Sequence, residues 1–176
     1  PSSGGIALSQ LIMTLSNFDL DKIQHNSTKY IHLLSEIEKL VYADRSKHIG
    51  DMDYYNVPIK NLMNFDYNQK RAQNINLKYA TPSDSISHTF FVDTESEETT
   101  HFSILDKNGN AVSITTTLNT NYGSKVFVNK RGFLLNNEMD DFSSKPGHPN
   151  TYGLLGSVAN AIEPGKRMLS SMSPTI

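Results

Sequence analysis

A threonine pair, Thr99-Thr100, stands at the sharpest change of character in this chain. Before it lies the acidic run Asp93-Thr94-Glu95-Ser96-Glu97-Glu98, and after it the strand-patterned His101-Phe102-Ser103-Ile104-Leu105. A threonine hydroxyl is a poor nucleophile until a base takes its proton, and a freed α-amine on the same residue can be that base. An α-amine pKa of about 8 leaves a useful neutral fraction at neutral pH. Cleavage between Glu98 and Thr99 would therefore create nucleophile and base at one residue. Before cleavage, the same hydroxyl could attack the Glu98 carbonyl and pass through an ester that water resolves.

Other residues that could do chemistry are weaker signals by themselves. Glu138, Asp140 and Asp141 crowd three carboxylates into four positions. That reads as a solvated acidic turn or a cation loop, although the spacing lacks the EF-hand pattern. Ser170-Ser171 alone would be a helix cap or a loop, and Tyr152 sits in a Pro- and Gly-rich loop over 146–157. The six histidines show no metal-ligand spacing, and His101 reads as a polar-face strand residue. No Gly-rich stretch has the context of a phosphate cradle. The absence of cysteine excludes disulfides, thiolate nucleophiles and cysteine-based zinc sites.

The 176 residues carry a net charge of −2, which gives no electrostatic case for nucleic acid or an anionic membrane. No apolar run is long enough to span a bilayer. A hydrophobic content of 37% is low for a self-contained core. Both ends read as cut from something longer.

The elements that must position these residues change type along the chain. Pro1-Ser2-Ser3-Gly4-Gly5 reads as a turn and cap, followed by Ile6, Leu8, Leu11, Ile12 and Leu15 at helical spacing. A second helix is expected over 27–47, with Ile31, Leu33, Leu34, Ile37, Leu40 and Val41 as its apolar stripe. Glu36, Glu38, Lys39, Asp44 and Arg45 read as its polar margin, and Gly50 ends it. Short helical pieces are expected over 59–63 and 69–74. The order signal then fades from Ala80 to Glu98, a composition of exposed, mobile chain.

From Thr99 onward the period becomes two. Phe102 and Ile104 are the apolar even positions of one run, and Val112, Ile114 and Leu118 those of the next. A two-residue Asn108-Gly109 turn would pair odd with even positions. A three-residue loop with Gly109 in the left-handed region pairs Phe102 with Ile114 and Ile104 with Val112. A one-residue slip would set buried residues against polar ones, so the three-residue loop is favoured. That register places Thr99 opposite Thr117, with Asn119 two residues beyond. Thr100 points to the other face by alternation. A short strand is expected at Gly132-Phe133-Leu134-Leu135.

Four stretches in order resemble a known family. They are Thr99-Thr100-His101-Phe102-Ser103, Leu118-Asn119, the run from Leu135 through Asn136-Asn137-Glu138-Met139-Asp140-Asp141 to Phe142-Ser143, and Arg167-Met168-Leu169-Ser170-Ser171-Met172-Ser173-Pro174. Together with Pro1-Ser2-Ser3-Gly4-Gly5 and Ala43-Asp44-Arg45 they are similar to the gamma-glutamyltranspeptidases (gamma-glutamyltransferases) of the N-terminal-nucleophile hydrolase superfamily. The resemblance covers essentially the whole chain. Met52 stands where the family usually has proline, a local loop variation.

The resemblance implies an α+β fold, the four-layer αββα sandwich of that superfamily, present here in part. It implies that 1–98 is the C-terminal part of a large subunit, helical with a mobile tail. Residues 99–176 are then the N-terminal part of a small subunit, released by autocatalytic cleavage of a zymogen between Glu98 and Thr99. Thr99 becomes the nucleophile and Thr117 its positioning partner. Asn119, Glu138 and Asp141 receive the α-ammonium of a γ-glutamyl donor, and Ser170 and Ser171 its α-carboxylate. Tyr152 is implied as a lid residue. The family's carboxylate arginine lies upstream of Pro1 and its oxyanion glycines downstream of Ile176, so the isolated 176 residues are expected to be inactive.

The implied reaction is γ-glutamyl acyl transfer to water, as in glutathione hydrolysis, or to an amino acid or peptide. No cofactor or metal is implied. The implied partners are γ-glutamyl small molecules such as glutathione, the acceptor, and the remaining parts of the same precursor in a heterodimer. A periplasmic, secreted or extracellular-facing location is implied as well. The rivals are a related acylase, a poly-γ-glutamate processing enzyme, and an unprocessed non-enzymatic binding module.

Overall fold

A computed structural model describes residues 2–86, 99–148 and 155–176. Residues 87–98 of the mobile stretch expected before Thr99, Glu98 among them, and the lid residue Tyr152 lie outside the described residues. Residues 80–86 of that stretch instead form a 3₁₀ turn at Ser83–Ser85 and end on a buried Ile86. The order is helices first, α1 (Gly4–Leu15), α2 (Thr28–His48), α3 (Ile59–Leu62) and α4 (Phe65–Ala72). Strands β1 (Thr99–Leu105), β2 (Ala111–Thr117), β3 (Phe127–Val128) and β4 (Phe133–Leu134) follow, then short 3₁₀ turns at Glu138–Asp141 and Val158–Asn160.

The long helix α2 starts where its sequence signals it. The Ser27 hydroxyl accepts a hydrogen bond from the Tyr30 N–H at 3.2 Å. Arg45, Lys47 and His48 lie in its last turn, opposite the negative end of the helix dipole. Leu33, Ile37 and Val41, four residues apart, are buried and pack with Ala7, Leu11 and Leu15 of α1 and with Phe18, Ile23 and Ile75. Ile31, expected in the same stripe, is instead 56% exposed. Leu33→Ala should therefore cost about 2–5 kcal/mol of stability and Ile31→Ala less than about 0.5, measured by urea unfolding of the full-length protein.

The expected polar margin of α2 is the main correction to its sequence reading. Glu36, Asp44 and Arg45 are buried. Asp44 joins three helices, accepting from Gln10 Nε2 of α1 at 2.9 Å and from the Tyr67 hydroxyl of α4 at 2.9 Å. Arg71 completes the set at 3.1 Å. Glu36 accepts from Lys39 Nζ at 2.7 Å and from the Thr81 N–H at 3.1 Å, fastening the chain after α4 onto α2. Burial without such partners would be costly, so the pairing is what allows these charges inside.

The helix at α4 begins at Phe65, four residues before its expected start, because Asn64 caps it with Oδ1 on the Tyr67 N–H at 2.9 Å. At the other end of the chain, Gly4 proves to be the first residue of α1 rather than part of a turn. A Cβ there would lie 2.7 Å from Ser173 Cβ, so glycine permits close approach of the C-terminal segment. The Ser3 hydroxyl makes no cap and turns to other partners.

The hairpin takes the three-residue loop. Thr99 pairs with Thr117, Phe102 with Ile114 and Ile104 with Val112. The Gly109 N–H donates to Asp106 O at 3.1 Å, and Gly109 has φ +84°. Asp106 Oδ1 accepts from the N–H groups of Asn108 and Asn110 at 2.8 and 2.9 Å. The apolar face was expected to be buried, yet Phe102, Ile104, Val112 and Ile114 are 42–57% exposed. Strands β3 and β4 form a second small antiparallel pair, with Gly132 at φ +77° in the turn rather than in the strand.

Residues 167–175 stitch these parts together. Leu169 packs into a second apolar cluster with Ile49, Val57 and Leu62, joined by Ile6 and Tyr55. The Ser170 carbonyl accepts from the Ser3 N–H at 2.7 Å, and Ser2 and Ser170 form a parallel bridge. Ser2 donates from its hydroxyl to the Met172 carbonyl. Farther on, Ser103 and Ser113 on the polar face of the hairpin donate to Thr175 O at 2.7 and 2.9 Å.

Candidate active site

The polar face of the β1–β2 hairpin supplies the first group of candidate residues. Thr99 and Thr117 are register partners, and the next pair on the same face is His101 with Thr115, joined at 2.8 Å. Beyond Thr117 the chain turns sharply at Asn119, which has φ +77°, a left-handed conformation that asparagine tolerates better than most residues. The Asn119 N–H donates to Thr117 Oγ1 at 3.0 Å. That bond fixes where the threonine oxygen sits relative to the turn.

The same turn is clamped to the acidic segment. Asn119 Nδ2 donates to the Asn137 carbonyl at 3.2 Å, and the Asn137 N–H donates to Leu118 O at 3.2 Å. The Thr120 N–H reaches Asn137 Oδ1 at 3.2 Å. Gly123 permits this packing, because it has φ +56° and a Cβ there would stand 2.3 Å from the Leu135 carbonyl. A path of hydrogen bonds thus runs from Thr117 through Asn119 to Asn137, which directly precedes Glu138.

Glu138 and Asp141 stand three residues apart in one 3₁₀ turn, where positions i and i+3 share a side. Their carboxyls are hydrogen-bonded to one another. Burial first, then the negative charge and hydrogen bond of Asp141, pushes the Glu138 carboxyl up to about 7. Burial also raises Asp141, against the hydrogen bond from Glu138 and the positive charge of Arg45. The turn is therefore a partly desolvated pair that holds a proton near neutral pH, unlike the solvated acidic turn that composition alone suggests.

A proton held more tightly in the folded state than in the unfolded one sets the sign of a pH effect. The unfolded chain releases the Glu138 proton near the ordinary value of 4.5, the folded chain only near 7. Stability should fall as pH rises through that interval. Glu138→Gln should remove this part of the slope, seen as a smaller loss of melting temperature between pH 5 and pH 8 in the variant than in the parent protein.

The segment carrying Ser170 and Ser171 is held by two residues that the sequence reading did not single out for the site. Asn160 is buried, donates from Nδ2 to the Asp141 carbonyl at 2.7 Å and accepts the Leu169 N–H on Oδ1 at 3.0 Å. Arg45 donates from Nη2 to Ser171 Oγ at 2.8 Å and from Nε to Ser3 Oγ at 3.0 Å. Ser170 Oγ accepts the Met172 N–H at 3.1 Å. The Ala43-Asp44-Arg45 triplet was part of the resemblance, so a signal existed, but helical periodicity alone assigns Arg45 to a margin.

The start of the segment is anchored by an ion pair. Arg167 grips Asp51 with two guanidinium nitrogens, Nε lying 2.9 Å from Oδ2, and the Arg167 N–H reaches the same oxygen at 2.9 Å. The Arg167 hydrogen bonds hold the Asp51 carboxyl well below the usual carboxylate range, and Asp51 in turn raises Arg167. This pair aims the chain toward Leu169 and the two serines.

Among the described residues, no three His, Asp or Glu side chains are grouped to hold a metal ion. No helix among them is long and apolar enough to cross a membrane.

The chain is similar to known proteins along its whole length. The chain is 53% identical over 178 residues to the glutathione hydrolase proenzyme of Pseudomonas aeruginosa, covering 100% of this chain and 31% of that protein. It is 49% identical over 176 residues to the glutathione hydrolase proenzyme of Escherichia coli, covering 100% of this chain and 30% of that protein. The chain thus spans about a third of the length of these curated relatives. Among solved structures, cephalosporin acylase from Bacillus halodurans superposes with a TM-score of 0.67 over 97% of this chain and 27% of that one, at 22% identity, a likeness of fold. The described residues combine helices with two antiparallel strand pairs, a mixed α/β architecture. The family model described as gamma-glutamyltranspeptidase matches residues 1–176, and the chain belongs to the gamma-glutamyltranspeptidase family.

Proposed function

We propose that the protein containing this chain transfers γ-glutamyl groups through an ester on Thr99, to water or to an amino acid or peptide. The observation that carries the reading is the pairing of Thr99 with Thr117 on the polar face of the hairpin, in a chain of this family. Residues 1–98 then belong to a large subunit and 99–176 to a small one, separated by autocatalytic cleavage. In that step the Thr99 hydroxyl attacks the Glu98 carbonyl, its own amide nitrogen leaves as the amine, and water hydrolyses the resulting ester.

In turnover the Thr99 oxygen attacks the γ-carbonyl of the donor while its proton passes to the Thr99 α-amine. The amine returns that proton to the departing amine of the substrate, leaving the γ-glutamyl ester. Water or an acceptor amine then attacks the ester and restores the threonine hydroxyl. Thr117 positions the nucleophile. The Glu138–Asp141 pair with Asn119 receives the donor ammonium, and Ser170 and Ser171 receive its carboxylate. Tyr152 covers the donor as a lid.

The substrates in this reading are glutathione and other γ-glutamyl small molecules, the remaining precursor is the partner, and nucleic acid is not. A periplasmic, secreted or extracellular-facing site of action accompanies the reading. It is tested with the full-length protein and γ-L-glutamyl-4-nitroanilide, with and without glycylglycine. Release of nitroaniline supports it, and added product with glycylglycine identifies transfer beyond hydrolysis. Turnover of a different acyl donor instead would favour a related acylase. Cleavage of poly-γ-glutamate in preference to the anilide would favour polymer processing, and a protein that stays uncut and inert would be a binding module.

A further inference from the structure

We infer that Arg45 is a positioning residue of the donor site, one that fixes the hydroxyl of Ser171 as a hydrogen-bond donor toward the α-carboxylate of the substrate. The inference rests on the γ-glutamyl reading above and deepens it. Arg45 comes from the last turn of α2, far in sequence from every residue the reading uses, and is only 9% exposed.

Hydrogen-bond polarity sets the role of each group. A guanidinium has five N–H donors and no acceptor, and it stays charged at any working pH. A hydroxyl has one proton and two lone pairs. Because Arg45 Nη2 lies 2.8 Å from Ser171 Oγ, the serine oxygen must accept from it. The proton of Ser171 is thereby committed to an acceptor other than Arg45, and none among the described residues takes it. The neighbouring serine is prepared in the same sense, since Ser170 Oγ accepts from the Met172 N–H at 3.1 Å. Two adjacent hydroxyls that both accept from the protein both keep their protons for another acceptor. That arrangement suits an anion and disfavours a cation.

Arg45 also holds the backbone that carries these hydroxyls. Its Nε donates to Ser3 Oγ at 3.0 Å, which forces the Ser3 proton onto the Ser170 carbonyl at 2.8 Å. The Arg45 guanidinium lies 5.6 Å from the Tyr42 ring centre, so its fork is oriented from the helix side as well. Its positive charge also favours the ionised form of Asp141, at the other end of the proposed donor pocket. A lysine could keep the charge but could not direct two hydroxyls from one rigid plane.

The test compares Arg45→Gln and Arg45→Lys with the parent full-length protein at a pH well above 7. Competitive inhibition by L-glutamate, which has the α-carboxylate, is set against 4-aminobutanoate, which lacks it. In Arg45→Gln the inhibition constant of L-glutamate and the KM of γ-L-glutamyl-4-nitroanilide should rise about 10–100-fold, the loss of one oriented hydrogen bond to a charge. The constant for 4-aminobutanoate and kcat should stay within about threefold. Arg45→Lys should recover part of the loss, and adding Ser171→Ala to Arg45→Gln should cost less than about a further threefold, because both act through one contact. Equal factors for the two inhibitors, a fall confined to kcat, or failure of both variants to mature would overturn the assignment in favour of a structural role. If the parent protein does not turn over the anilide at all, it is the γ-glutamyl reading that fails.

Discussion

Replacing Thr99 by alanine in the full-length protein is expected to leave one uncut chain and to lower γ-glutamyl turnover by about 10⁴-fold or more. The hydroxyl is needed twice in the proposed scheme, first to break the bond to Glu98 and then to take the γ-glutamyl group. Its loss therefore removes maturation and chemistry together. Thr99→Ser keeps both hydroxyl and future amine and should still mature, with reduced turnover. Thr100 lies on the opposite face of β1, paired with Thr116. Thr100→Ala should mature normally, and intact mass together with anilide turnover separates the three variants. Turnover by an uncut Thr99→Ala protein would contradict the scheme.

The second large effect is expected at Asp141. Removing one partner of a buried, hydrogen-bonded charge pair typically costs about 2–5 kcal/mol, or about 30- to 5,000-fold in kcat/KM when the pair is formed by the substrate. Asp141→Asn should show a loss of that size, chiefly in KM. Glu138→Gln should behave differently because of its raised pKa. At pH 6 the parent protein already carries Glu138 mostly protonated, so the variant should match it within about threefold. Above pH 8 the parent gains a second carboxylate against the donor ammonium and the variant does not, so the difference should widen. Kinetics of both variants across this range check the division of labour, and a pH-independent gap for Glu138→Gln would exclude it.

The hairpin was the most legible part of the fold. Parity of Phe102, Ile104, Val112 and Ile114 together with Gly109 leaves one register that keeps apolar opposite apolar, and that register brings Thr99 to Thr117. The start of α2 was legible because Ser27 is a capping residue before a periodic run. The same signal existed at Asn64, but the mixed composition of α4 hid its first turn. Periodicity misjudged Glu36, Asp44 and Arg45, since a pattern of apolar residues treats every charge as solvent-facing. Their partners, Thr81, Tyr67, Arg71, Ser3 and Ser171, come from elements that no local pattern links to α2.

The candidate site was legible mainly through the resemblance. Nothing in composition distinguishes Ser170-Ser171 from an ordinary loop, and the acidic run reads as solvated until burial and the Glu138–Asp141 hydrogen bond are seen. Asn160 lies in a three-residue 3₁₀ turn with no periodicity, yet it ties Asp141 to Leu169. The open apolar face of the hairpin was not legible either, because alternation specifies which side chains share a face and not what that face meets.

The central claim is that Thr99 carries the γ-glutamyl group, and it is tested most directly by quenching the full-length protein during turnover of γ-L-glutamyl-4-nitroanilide and mapping the adduct by peptide mass spectrometry. The account predicts a peptide beginning at Thr99, one glutamyl unit heavier, with the adduct on the Thr99 hydroxyl. A glutamyl adduct on any other residue, or turnover by a chain in which Glu98 and Thr99 remain joined, would contradict it.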